Sequence, residues 1–78
     1  MFDFSAVDCK HPPTIDNGRV IVVNGTTTYG GAAEYHCLPQ FERSGLFLRK
    51  CLDTGLWSGE EPKCIGNYVS IFLLFHLE

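Results

Sequence analysis

Little in this chain points to catalysis, nucleic acid or metal. It has no Gly-x-Ser-x-Gly elbow, no His-Glu-x-x-His and no glycine-rich phosphate loop, so the common hydrolase, metalloprotease and nucleotide-binding signatures are missing. Ser58 follows Trp57 with no evident base, and a hydroxyl without a positioned base is a poor nucleophile. Positive charge is scarce. Six Lys and Arg stand against nine acids, for a net charge of −3, and the one adjacent basic pair is Arg49-Lys50. That gives no basic stripe of the kind nucleic acid requires. The four cysteines are separated by 27, 13 and 12 residues, so none form the close pairs of a structural zinc site. His36 adjoins Cys37, but neighbours on a strand point to opposite faces. We therefore expect no catalytic residue, no metal and no cofactor.

Helical periodicity is also absent. Between Cys9 and Cys64 no apolar pattern repeats every 3.6 residues. The start, Met1 to Asp8, lacks the basic opening and unbroken apolar stretch of a secretory signal. Tyr68 to Leu77 is almost wholly apolar, yet as a helix its ten residues would span about 15 Å, half of a ~30 Å hydrocarbon core. We read residues 65–78 as a truncated anchor or a sequence artefact, with an added strand as the alternative. Residues 1–8 read as a linker or tail.

What remains is a body of short strands and turns. Pro12-Pro13 favours an extended entry. Arg19 to Val23 is β-branched, and Asn24-Gly25 follows it directly, which predicts a hairpin with Thr26 to Tyr29 as the return strand. Ala33, Tyr35 and Cys37 alternate with Glu34 and His36, a strand with one buried and one polar side. Phe41 is a candidate buried ring after a turn at Pro39-Gln40. From Leu46 to Cys51 the parity is awkward: Phe47, Arg49 and Cys51 fall on one face, Leu46, Leu48 and Lys50 on the other. Either a bulge intervenes or a leucine is exposed. In a chain of 78 residues burial alone is marginal, and an even cysteine count suggests two cross-links in an oxidising compartment, although spacing leaves three connectivities open. Each cross-link stabilises such a chain by about 3–4 kcal/mol.

The settings of these residues resemble the sushi domain, also called the complement control protein module or short consensus repeat. The matching elements are Cys9, Pro12-Pro13, Asn17-Gly18, Tyr29-Gly30, Ala33-x-Tyr35-x-Cys37, Phe41, Gly45, Cys51, Gly55-x-Trp57-Ser58 and Pro62-x-Cys64, covering residues 9–64. The resemblance implies an all-β, elongated, disulfide-stapled sandwich of short strands, with Cys9 joined to Cys51 and Cys37 to Cys64 near opposite ends. It implies that Trp57 packs in the core against a disulfide. Where the family usually has glycine before the aromatic matched by Phe41, this chain has Gln40, so either the turn differs or Gln40 takes an unusual backbone angle.

The function implied is recognition of extracellular proteins or glycans, or spacing between neighbouring modules, by one repeat of a larger secreted or membrane-anchored mosaic protein. Nucleic acid is not an expected partner, and a membrane enters only through an anchor in the parent chain. A stand-alone disulfide-rich secreted inhibitor or toxin is the alternative, which the missing signal peptide disfavours. Asn24-Gly25-Thr26 fits an N-glycosylation site at a turn tip. Arg19, Glu34, Arg43, Arg49 and Lys50 are the side chains expected to meet a partner.

Overall fold

A computed structural model describes residues 6–66. Among these residues, five short strands form two antiparallel sheets. β1 (Gly18–Val22), β2 (Ala32–Cys37) and β4 (Leu48–Lys50) make the larger, in the order β1-β2-β4. β3 (Phe41–Ser44) and β5 (Lys63–Gly66) make the smaller. The class is all-β, as the turn-rich and aperiodic sequence required.

β2 is the central strand. Val20 lies opposite Tyr35 and Val22 opposite Ala33, while Arg49 faces Ala33 from β4. Directly opposed residues share a face, so this inner side carries the two valines, Ala33, Tyr35 and Arg49. Ala33 and Tyr35 are fully buried, and Pro12, Gly31, Cys51, Pro62 and Cys64 are buried with them. Tyr35 is the one large aromatic ring completely enclosed among the described residues. Phe41 is half-buried.

The two disulfides are Cys9–Cys51 and Cys37–Cys64. Cys37 closes β2 at one end. Cys51 bonds to the chain just ahead of the other end, with its N–H donating to Gly31 O (2.8 Å) and its O accepting from Gly30 N (3.0 Å). The staples therefore sit at opposite ends of one strand. With sequence separations of 42 and 27, loop closure makes them worth about 4 and about 3.5 kcal/mol taken singly.

The hairpin expected at Asn24-Gly25 is only half there. Asn24 (φ 56°) and Gly25 (φ 68°) take left-handed angles, and Thr26 N donates to Val23 O (3.2 Å), so the tight turn forms. Thr26 to Tyr29 does not return along β1, however; the strand that pairs with β1 is β2. It pairs with the chain's entry instead: Cys9 N donates to Thr27 O and Tyr29 N to Val7 O, both at 3.0 Å, and Asp8 bridges Thr28. Backbone pairing thus begins two residues ahead of Cys9, inside the stretch grouped by sequence with the tail. At the other end Ile65 and Gly66 pair with Glu42 and Phe41. The rest of the apolar stretch from Asn67 lies outside the described residues.

Gln40 resolves its own question. Its φ is 73°, and Phe41 N donates to Leu38 O (3.1 Å) across a turn with proline second and a left-handed residue third. That is the type II pattern, in which glycine is the usual third residue.

Candidate interaction surface

Arg49 departs most from the sequence expectation. Alternation along β4 turns Leu48 and Lys50 outward and Arg49 under the sheet, where it is half-buried. Its Nε donates to Ser58 O (2.8 Å), Nη1 to the Tyr35 hydroxyl (3.2 Å), and Nη2 to Trp57 O (3.4 Å) and Gly59 O (3.3 Å). A cation drawn beneath a sheet needs acceptors, and the fork geometry of a guanidinium suits several at once. Arg49 therefore joins β4, the buried tyrosine and the 57–59 segment as a clamp. Ser58 completes the clamp: its N–H donates to Lys50 O (2.7 Å) and its hydroxyl accepts from Lys50 N (2.9 Å).

Trp57 is half-buried rather than enclosed. Its backbone bridges Cys51, which sets it beside the first disulfide, and its indole Nε1–H donates to Lys10 O (3.0 Å). The indole N–H requires an acceptor, and it finds one in an exposed backbone carbonyl at the boundary of the core. Leu56 next to it is 67% exposed.

The other expected contacts lie on or against the outward side of the larger sheet. Arg19 stands opposite His36, and Ile21 stands opposite Glu34. Glu34 in turn stands opposite Leu48, and Ala32 opposite Lys50. Glu34 accepts a hydrogen bond from His36 Nε2 at 3.2 Å. The Phe47 ring meets His36 edge-on, with centroids 5.3 Å apart. Arg43 reaches over from β3, its guanidinium carbon 5.3 Å from the Phe47 centroid and its Nε bonded to Gly45 O (3.1 Å). Stacking on an aromatic holds an arginine in place while leaving its outer N–H groups to the solvent side. Arg19, Arg43 and Lys50 are exposed, and Glu34 is half-buried.

Three apolar members of this surface were not foreseen: Ile21 (41% exposed), Phe47 (41%) and Leu48 (37%). The alternation of β1 offered a signal for Ile21, and the awkward parity at 46–51 offered one for Leu48. Leu46 is exposed as well, and the chain bends at Phe47, so strict alternation fails there. Which rungs these residues share depends on register between distant strands, which no local pattern contains.

At the N-terminal edge, the Asp8 carboxylate accepts from the Thr27 hydroxyl (2.7 Å) and from Lys10 N (2.8 Å), with Lys10 Nζ at 3.6 Å. Those bonds, Thr27 first and then the Lys10 backbone, hold its pKa below the ordinary carboxylate value. Asn24 is exposed at its turn. All four cysteines are bridged, and no group of three or more His, Cys, Asp or Glu side chains is arranged to hold a metal among the described residues.

Comparison with known proteins places this geometry. The sushi repeat (SCR repeat) family model matches residues 9–64. A 59-residue stretch is 37% identical to the rat "Sushi, von Willebrand factor type A, EGF and pentraxin domain-containing protein 1", covering 76% of this chain and 2% of the relative. "Protein lev-9" of Caenorhabditis elegans is 30% identical over 61 residues, covering 78% of this chain and 10% of the relative. The bovine "Sushi repeat-containing protein SRPX2" is 29% identical over 68 residues, covering 83% and 15%. The chain thus spans only a small part of the length of the curated relatives it matches.

Proposed function

The chain belongs to the sushi repeat family, and from that membership we propose that it is one extracellular recognition module of a larger mosaic protein, binding a protein partner through a fixed surface rather than transforming a substrate. The observation that carries this reading is the scaffold itself. Two disulfides at opposite ends of β2, with Arg49 clamping the sheet to the 57–59 segment, hold a three-stranded face whose outer side carries charged and apolar side chains together. A pre-organised face loses little entropy on binding. Disulfides of this kind persist in oxidising compartments, which supports a secreted or cell-surface location. The names of the relatives, one of which lists several further domain types, support a module over a stand-alone inhibitor or toxin.

Asn24 is exposed at the tip of a tight turn with Thr26 two residues on, and we assign it as a glycan acceptor in the secreted protein. The test of the whole reading is expression through a mammalian secretory pathway behind a supplied signal peptide. The oxidised chain should resist thiol alkylation at all four cysteines. An Asn24→Gln variant should lose the mass of one glycan on a denaturing gel. On an array of purified extracellular proteins the oxidised chain should bind members that the reduced and alkylated chain does not. Equal binding by the two forms, or none by either, would overturn the recognition role.

A further inference from the structure

We propose that the outward face of the β1-β2-β4 sheet docks an acidic segment of a protein partner, one that presents carboxylates beside apolar side chains. This rests on the reading of the chain as a recognition module and specifies both the face and the chemistry it takes.

Charge is the first argument. The chain as a whole is net negative, at −3, yet this face gathers Arg19, Arg43 and Lys50, and Glu34 is the one carboxylate on the three strands of the sheet. Glu34 already accepts a hydrogen bond from His36. The face is thus a cationic patch on an anionic molecule, and like-charged surfaces elsewhere would steer an acidic partner toward it. Arg43 is pre-positioned by its stack on Phe47 and its bond to Gly45 O, so binding a carboxylate through its Nη groups orders little that is not ordered already.

Apolar surface is the second argument, and it decides between kinds of partner. Ile21 and Leu48 flank Glu34 on one rung of the sheet, and Phe47 lies against His36 on the next. All three are more than a third exposed. Neighbouring strands are about 4.8 Å apart, so these side chains form one continuous patch about three strands wide. A sulfated glycan would satisfy the arginines but leave that patch wet. A protein segment with acidic and apolar residues interleaved covers both, and exposed aromatic and arginine side chains are the types that anchor protein interfaces.

The test uses the oxidised full chain and two probes. One is a soluble 15-residue peptide with three acidic and two apolar residues in every five. The other is a heparin-derived octasaccharide. The expected result is that the peptide shifts the backbone amide resonances of Arg19, Ile21, His36, Phe47 and Leu48, and that its affinity falls with added salt. Arg43→Ala and Ile21→Ser should each weaken it by about tenfold. Leu56→Ser, on the Trp57 side, should leave it unchanged. Each variant is checked by near-UV circular dichroism and by blocked thiols, so a folding defect is not mistaken for a binding one. Three results overturn the proposal: no peptide binding, shifts centred on Leu56 and Trp57, or octasaccharide binding on this face with none by the peptide. If the array proteins still bind with Arg43→Ala and Ile21→Ser unaffected, the recognition role stands and only this face is refuted.

Discussion

Replacing Arg49 by methionine keeps an unbranched apolar stem of similar reach and removes four donated hydrogen bonds at once. The Tyr35 hydroxyl loses its donor inside a fully buried residue, which costs about 1–3 kcal/mol. The carbonyls of Trp57, Ser58 and Gly59 lie nearer the surface and regain water in part, so they add about 1 kcal/mol between them. We expect a net loss of about 2–4 kcal/mol. For a domain of this size that lowers the melting temperature by about 10–25 °C. The disulfides are untouched, so the loss is in the native state and not in the staples. Urea unfolding under non-reducing conditions, followed by Trp57 fluorescence, measures it directly, because the 57–59 segment is the one released. Arg49→Lys should recover less than half, since an ammonium cannot reach four acceptors in the fork geometry. In a Tyr35→Phe background the Arg49→Met cost should fall by about 1 kcal/mol, the coupling of the shared bond. A loss under about 0.5 kcal/mol, or an intact fold that no longer binds its partner, would refute the clamp and return Arg49 to the surface.

Three further outcomes are expected. Gly31→Ala would drive a Cβ into Thr26 O and to 2.9 Å from Thr28 O, both backbone atoms, so thermal melts should show a loss of about 2 kcal/mol or more. Gln40→Gly should raise stability by about 0.5–1 kcal/mol in urea titration, because removing the left-handed penalty outweighs the added freedom of the unfolded chain. Asp8 has a depressed pKa in the folded state, so its contribution is present above the unfolded value and is lost as pH falls through the folded one. Melting temperatures taken from pH 7 to pH 2 should therefore show the parent's lead over Asp8→Asn shrinking below about pH 4.

What the sequence disclosed and what it withheld divide along one line. The alternation of Ala33, Tyr35 and Cys37 against Glu34 and His36 is a local property, and the inner and outer faces of β2 follow from it. The turn at Asn24-Gly25 is local too, and its left-handed angles are as the dipeptide demands. Gln40 was flagged by its departure from glycine and adopts the angle that glycine would have taken. The strand that β1 pairs with is not local. Ala32 to Cys37 won that place over Thr26 to Tyr29 because it can bury Ala33 and Tyr35 against Val20 and Val22, whereas three threonines in a row cannot bury a comparable apolar face. The half-buried position of Arg49 is not legible for a related reason. Its environment is made by residues 57–59 folding back on β4, and charge alone reads as surface. Trp57 shows the same limit in reverse, a large apolar side chain whose indole N–H keeps it at the boundary.

The crossed arrangement of the two bridges has a mechanical consequence. Residues 9 and 64 are 55 positions apart along the chain, which drawn straight would reach about 185 Å. Under tension the load passes through sulfur from Cys9 to Cys51 and then along either of two parallel arms to Cys64, one of 13 positions directly and one of 14 positions back to Cys37 and across its bridge. The direct arm goes taut first, at about 45 Å, and the arm through the second bridge at about 55 Å. A pulled module therefore yields little slack even when its sheets give way, and a string of such units behaves as a cable of nearly fixed length rather than as a spring.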